Sequence, residues 1–181
     1  MRIISGEKKG RIIKVPRNFK DRPTTDMAKE ALFNILNNLY YFDQIRVLDL
    51  FAGSGGISFE FASHGTNDIT LVDSNPAYTS FIEKQAEEIF SDNIINIVTA
   101  DVFDFCKSVP LNFDIIFADP PYSLKNLDEL PDLVLENQGF PDDALFILEH
   151  SKRNNFKNHK YFLKERKYGN VHFSFFGKEK M

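Results

Sequence analysis

The stretch "RVLDLFAGSGG" (46–56) decides the fold. Its first six residues are apolar and β-prone apart from Arg46 and Asp49, and "AGSGG" then breaks the run. A short buried strand that ends in a glycine turn and is followed by a helical stretch is the opening unit of a parallel α/β sheet. Gly53 and Gly55 let the backbone come close to a ligand. Free N–H groups at the next helix start suit an anionic group.

Working outward, the same alternation repeats. "DITLVD" (68–73), "NIVTAD" (96–101), "FDIIFAD" (113–119) and "ALFILEH" (144–150) read as further buried strands. Helical stretches are expected at 56–64, 75–90, 102–108 and 124–137. Right-handed crossovers then give a doubly wound, mostly parallel, Rossmann-like sheet. The tail "YFLKERKYGNVHFSFF" (161–176) reads instead as an antiparallel hairpin turning at Tyr168-Gly169-Asn170. At the other end, "RII" (2–4) and "RIIKV" (11–15) flank "SGEKKG", which predicts a β-hairpin extension over 1–22 ahead of the main domain at 23–181. Thr25 is a helix N-cap candidate, with Ala28, Leu32, Ile35, Leu36 and Leu39 as the buried stripe.

The totals narrow the class. The chain has 181 residues, 43% of them hydrophobic, which suits one sizeable core. The single Cys106 excludes an internal disulfide framework and points to a reducing, cytoplasmic setting. No apolar run is long enough for a membrane span, and the four histidines lack metal-ligand spacing, so neither membrane nor metal is expected. The net charge of −4 hides a segregation: residues 1–22 carry +6, residues 152–181 carry +7, and the middle carries −17. Two basic ends on an acidic body suit a polyanionic partner.

Four proposed strand ends carry acids: Asp49, Asp73, Asp101 and Asp119. Ligands of open α/β sheets bind beyond these ends, at the switch point. Gly53-x-Gly55-x-x-Ser58, with Asp73 twenty residues on, also fits a degraded dinucleotide motif. Asp49 argues against a pyrophosphate and for an ammonium. S-adenosylmethionine matches the set: its ammonium to Asp49 and the Phe51–Gly55 turn including Ser54, its ribose to Asp73, its adenine amine to Asp101. Asp101 alone reads equally well as a helix cap.

"DPPY" (119–122) supplies the acceptor chemistry. An exocyclic amine needs hydrogen-bond acceptors that hold it and draw its lone pair out of the ring. Asp119 offers a carboxylate and Pro120 a carbonyl. Pro120 and Pro121 fix the angle between them, and the Tyr122 ring offers a face for a base.

"DLFAGSG" followed by "DPPY" resembles the amino-methyltransferases that act on exocyclic nitrogens of nucleic acids. "MRIISG", "GR" (10–11), "RPTTD" (22–26), "KEALFN" (29–34) and "KYGN" (167–170) are similar to the RsmD family of 16S rRNA (guanine(966)-N(2))-methyltransferases. The resemblance implies a class I S-adenosylmethionine-dependent fold and a monomer acting on 16S rRNA or the assembled small ribosomal subunit. It assigns the cofactor to Asp49, Gly53, Gly55 and Asp73 and catalysis to Asp119–Tyr122. Many relatives have Glu where Asp73 stands and Arg where Met27 stands, which shifts RNA contacts to Arg22 and Lys29. Arg2 and Arg11 are further RNA candidates from the basic arm. Competing readings are a DNA adenine or cytosine N-methyltransferase, a non-catalytic ribosome-assembly factor that binds nucleotides, and a nicotinamide oxidoreductase. Asp119 and Tyr122 disfavour the last two.

Overall fold

The computed structural model describes residues 1–19, 24–90 and 94–179. Its strands are β1 (Arg46–Leu50), β2 (Asp68–Asp73), β3 (Ile95–Thr99), β4 (Ile115–Ala118), β5 (Leu145–His150), β6 (Phe162–Tyr168) and β7 (Val171–Phe176). They form one sheet in the order β3-β2-β1-β4-β5-β7-β6. β1 to β5 run parallel, and β7 lies antiparallel to both β5 and β6. The helices are α1 (Asp26–Leu36), α2 (Gly56–Ser63), α3 (Pro76–Ile89), α4 (Val102–Ser108) and α5 (Leu130–Leu135).

Chain order explains the site. From β1 the chain winds outward through β2 to β3, and then returns to place β4 on the other side of β1. The crevice beyond the ends of β1 and β4 is therefore the switch point. Both sheet faces are covered. Val47, Leu71, Phe117 and Phe173 pack in one cluster with Leu32 and Phe59 of α1 and α2. Leu48, Leu50, Ile116 and Leu148 pack in the other with Cys106 and Val134 of α4 and α5. This two-sided burial is why the strands read as continuous apolar runs.

Several expectations change. The stretch 124–137 holds only a 3-10 turn at Leu127–Glu129 and the six-residue α5, because Pro131 fits the first turn of a helix but not the interior of one that starts near 124. α1 is capped by Thr25, whose side chain accepts from the Ala28 N–H, but it stops at Leu36. Phe33, not Leu39, completes its buried face; Leu39 is exposed. The described part of the N-terminal segment, 1–19, turns back on itself as a short hairpin: Arg2 and Ile12 form an antiparallel bridge, the Ile3 N–H donates to the Arg11 carbonyl and the Ile13 N–H to the Met1 carbonyl. Ile3 and Ile13 are buried in the same cluster as the sheet, so the arm shares the main core.

Candidate active site

The loop after β1 is shaped by its own acids. Phe51 adopts φ 59°, a left-handed conformation that a non-glycine residue rarely takes. Gly53 (φ 54°) and Gly55 (φ 78°) follow it. A Cβ on Gly55 would stand 3.1 Å from both Ile82 and Phe59, so the turn lies tight on α3 and α2. Asp73, at the end of β2, accepts from the Gly53 N–H at 2.9 Å through Oδ2 and from the Asn75 N–H at 2.8 Å through Oδ1. The twenty-residue spacing between Gly53 and Asp73 is thus a direct contact. Phe51, Ala52, Gly53 and Ser54 remain half-buried, lining the crevice.

Asp49 corrects the reading of an open ammonium site. It is 2% exposed, and its Oδ2 accepts from the Ser58 N–H at 3.1 Å and the Ser58 hydroxyl at 2.6 Å. Burial pushes its carboxyl up to about 7, opposed by these two bonds. Asp49 therefore anchors the first turn of α2 and supports the loop from below. Asp101 takes the cap role: its Oδ1 accepts from the Phe103 and Asp104 N–H groups at the start of α4.

Met1 was missed by the sequence reading. Its sulfur lies 3.5 Å from the Ser54 hydroxyl, and a Cβ on Gly56 would meet it at 3.0 Å. The arm thus touches the glycine loop. No local pattern announces that, since the contact spans 53 residues.

Across the crevice, the Asp119 N–H donates to the Leu50 carbonyl at 3.3 Å, which ties the start of "DPPY" to the last residue of β1. Asp119 is half-buried and Pro120 buried. The Pro120 carbonyl accepts no hydrogen bond among the described residues, so it is available to a ligand. The Pro121 carbonyl accepts from the Leu124 N–H at 2.8 Å and closes the turn. Tyr122 is 62% exposed on that turn. The structure therefore brings Asp119–Tyr122 beside Phe51–Gly55 and Asp73 at the carboxyl ends of the parallel strands.

The proposed RNA contacts fare differently. Lys29 is corrected: it is 3% exposed, its ammonium pairs with buried Glu60 at 2.9 Å, and it donates to the Arg2 carbonyl at 2.7 Å. It holds the arm to α1 and α2, and a phosphate cannot reach it. Arg11 pairs with Glu88 in the last turn of α3, at the helix end remote from the Asp73 strand end. That position moves Arg11 away from the crevice. Arg2 is exposed and pairs with Asp26 at 3.0 Å, in the first turn of α1. Arg22 lies outside the described residues.

No group of potential metal ligands occurs among the described residues, and no helix among them is long and apolar enough to cross a membrane.

Ribosomal RNA small subunit methyltransferase D of Escherichia coli is 32% identical over 154 residues, covering 85% of this chain and 76% of that protein. The solved structure of the Escherichia coli protein yhhF superposes with a TM-score of 0.84 at 28% identity, covering 100% of this chain and 99% of that one. A precorrin methyltransferase of Geobacter metallireducens shares the fold at TM-score 0.70 and 16% identity, over 92% of this chain and 94% of its own. The fold is thus that of class I methyltransferases. The family model described as conserved hypothetical protein 95 matches residues 1–177, and the chain belongs to that family, the RsmD family of the sequence resemblance.

Proposed function

We propose that this chain transfers a methyl group from S-adenosylmethionine to the exocyclic N2 of a guanine in 16S rRNA, guanine 966 by family resemblance. The observation that carries the reading is the Asp119–Leu50 contact, which sets an acceptor loop of Asp-Pro-Pro-Tyr directly across the switch point from the glycine loop. The cofactor fits the crevice chemically. The left-handed Phe51 and the Gly53–Gly55 turn leave backbone at close range, and carboxylates stand at the ends of β2 and β3.

The residues then divide the work. Gly53, Ser54 and Gly55 would present backbone to the amino-acid part of the cofactor, and Asp73 would present its carboxylate to the ribose. When bound, the cofactor supplies an electrophilic methyl group on a positively charged sulfur. The Asp119 carboxylate and Pro120 carbonyl accept from the amine N–H groups of guanine, favouring a pyramidal nitrogen with its lone pair exposed. Asp119 is also the base placed to receive the proton that the methylated nitrogen sheds. Tyr122 stacks on the extracted base, worth about 1–3 kcal/mol, against the few kcal/mol that unstacking costs. The protein acts as a cytoplasmic monomer on rRNA or on the assembled small subunit.

The test is to incubate the protein with labelled S-adenosylmethionine and small-subunit particles from cells lacking it. Label on one guanine N2 of 16S rRNA is expected. Label on another base type, or none, overturns the reading.

A further inference from the structure

Between the loop after β4 and the loop after β5 lies a cavity of about 320 Å³, lined by Asp128, Arg153, Asn154, Asn155, Phe156 and His159. Asp128 stands on the 3-10 turn that ends the loop after β4, the loop that begins with Asp119–Tyr122. The other five belong to the loop after β5, the strand that pairs in parallel with β4. Both loops leave the sheet at the carboxyl ends of the parallel strands, the end that carries the candidate active site.

The loop after β5 is held in shape by its own hydrogen bonds. Ser151 closes its first turn: the carbonyl accepts from the Asn154 N–H at 3.1 Å, and the hydroxyl accepts from the Arg153 N–H and donates to Asn154 Oδ1, both at 3.3 Å. Farther along, His159 Nε2 lies 3.2 Å from the Asp132 carboxylate and Lys160 pairs with Glu136, which clamps the loop onto α5. Phe156, the one phenyl ring of the lining, is buried against His150 and Phe176. It forms a floor and offers no open face on which a base could stack. The polar tips are not consumed by the fold. The Asp128 carboxylate and the Arg153 guanidinium have no hydrogen-bond or ion-pair partner among the described residues. Asn154 Oδ1 accepts from the Ser151 hydroxyl and Asn155 Oδ1 from the Lys157 N–H, which leaves both side-chain NH₂ groups as donors.

We propose that this cavity holds one ribose and its adjoining phosphate from the RNA strand, whatever base they carry, and that it distinguishes RNA from DNA. The inference rests on the function proposed above and adds to it where the backbone is gripped. A guanidinium suits a phosphate by its planar fork of donors, and the Asn154 and Asn155 amides add further donors beside it. A site for phosphate alone has no use for Asp128, whose charge repels an anion. A carboxylate only accepts, so it calls for a donor in the ligand. The donor that stands next to a phosphate along an RNA backbone is the ribose 2′-hydroxyl, the group by which a protein tells RNA from DNA at a given position. A deoxyribose leaves Asp128 facing the strand with nothing to accept. Arg153 therefore positions the strand and Asp128 selects its sugar. Lys152 and Lys157, both exposed on the same loop, flank the cavity with positive charge.

The test is residue-resolved NMR of the full chain saturated with S-adenosylhomocysteine. It is titrated with the ribodinucleotides adenylyl-uridine and uridylyl-adenosine, with their 2′-deoxy counterparts, and with adenosine 3′-monophosphate. Both ribodinucleotides are expected to shift the amides of 128 and 152–157, and to the same extent. The deoxy forms should shift that set at least threefold more weakly. Arg153→Ala should abolish the 152–157 shifts, and Asp128→Ala should make the ribo and deoxy forms respond alike. Both substituted side chains are exposed, and unchanged affinity for S-adenosylhomocysteine certifies that the variants fold. Equal response of the wild type to the ribo and deoxy forms would overturn the proposal. So would the absence of shifts at 128 and 152–157, or a preference for ribose that survives in Asp128→Ala. A response to adenosine 3′-monophosphate without one to the dinucleotides would mean a free nucleotide and not a strand, and would overturn it as well. Each of these leaves the proposed function standing. Failure of the wild type to methylate small-subunit particles overturns that function, and the dinucleotide titration reads the cavity separately from it.

Discussion

The two loops that meet at the switch point are built in opposite ways. The loop after β1 is closed on itself: Asp73 grips its backbone, Asp49 supports the helix that follows, and Gly55 seals it against α3. The loop after β4 is tied at its root by the Asp119–Leu50 bond and then opens, with Pro121 and Tyr122 exposed. The difference teaches what each must receive. A small cofactor is held by a surface whose shape is set beforehand. A base swung out of a large RNA needs an open face.

The largest effect should come from the open loop. Asp119→Ala is expected to reduce methyl transfer by a factor of about 10³ or more, since general-base and amine-orienting roles contribute ~10²–10⁴-fold. Cofactor affinity, measured by calorimetry, should change by less than about threefold. A variant that keeps most of the wild-type rate would remove Asp119 from the chemistry. A large loss of cofactor affinity would mean that the two loops do not divide the work as argued.

The converse test targets the closed loop. Asp73→Ala strips the acceptor from the Gly53 and Asn75 N–H groups. Leaving a half-buried donor unmet costs about 1–3 kcal/mol, so cofactor affinity should fall roughly 10- to 100-fold. The rate at saturating cofactor should stay within about threefold of wild type. A lower saturated rate with intact affinity would reverse the assignment.

Tyr122 sharpens the contrast from the substrate side. Its ring stands out at 62% exposure, and a stacking face needs no hydroxyl. Tyr122→Ala should raise KM for the RNA substrate about 10-fold, and Tyr122→Phe less than about threefold. Equal damage from both would show that the hydroxyl, not the ring, makes the contact.

How much of this was readable in the sequence follows from the range of each interaction. The β1–β5 strands and their terminal acids were legible because an apolar run ending in Asp is a local pattern. The glycine turn was legible for the same reason. Lys29 was not: its position in "KEALFN" suggests a solvated cation, and only Glu60, 31 residues away, makes it a buried pair. Asp49 was half-read, because the acid is visible but its burial against Ser58 depends on how α2 docks. The short α5 was overestimated because Leu, Asp and Glu over 124–137 look helical, whereas the Pro131 ring restricts where the helix can begin. Glu149 and Thr24 were missed altogether. They are 125 residues apart and meet only because the chain returns from α1 to the end of β5.

That last pair carries the smallest effect and a sign that can be checked. Glu149 is 3% exposed, accepts from the Thr24 hydroxyl at 2.8 Å, and follows Leu148, the partner of Ala118 in the register that leads into Asp119. Burial pushes its carboxyl up to about 7, opposed by the Thr24 bond. Asp49, beneath the closed loop, is pushed up to about 7 in the same way. An acid with a raised folded pKa favours the fold while it keeps its proton. The unfolded chain ionises first, near pH 4, so stability falls as pH rises from about 4 to about 7 and then levels. Glu149→Gln keeps an acceptor for Thr24 and removes the ionisation. Melting temperature at pH 5 and pH 8 is the measurement. Wild type should lose stability between the two, and the variant should lose less by about 1–3 kcal/mol, a few degrees for a chain of this size. Asp49→Asn should flatten the same slope from the other loop. If Glu149→Gln leaves the slope unchanged while Asp49→Asn flattens it, the buried acid that sets the pH response lies under the cofactor loop alone, and the open loop rests on a carboxylate already ionised in the fold.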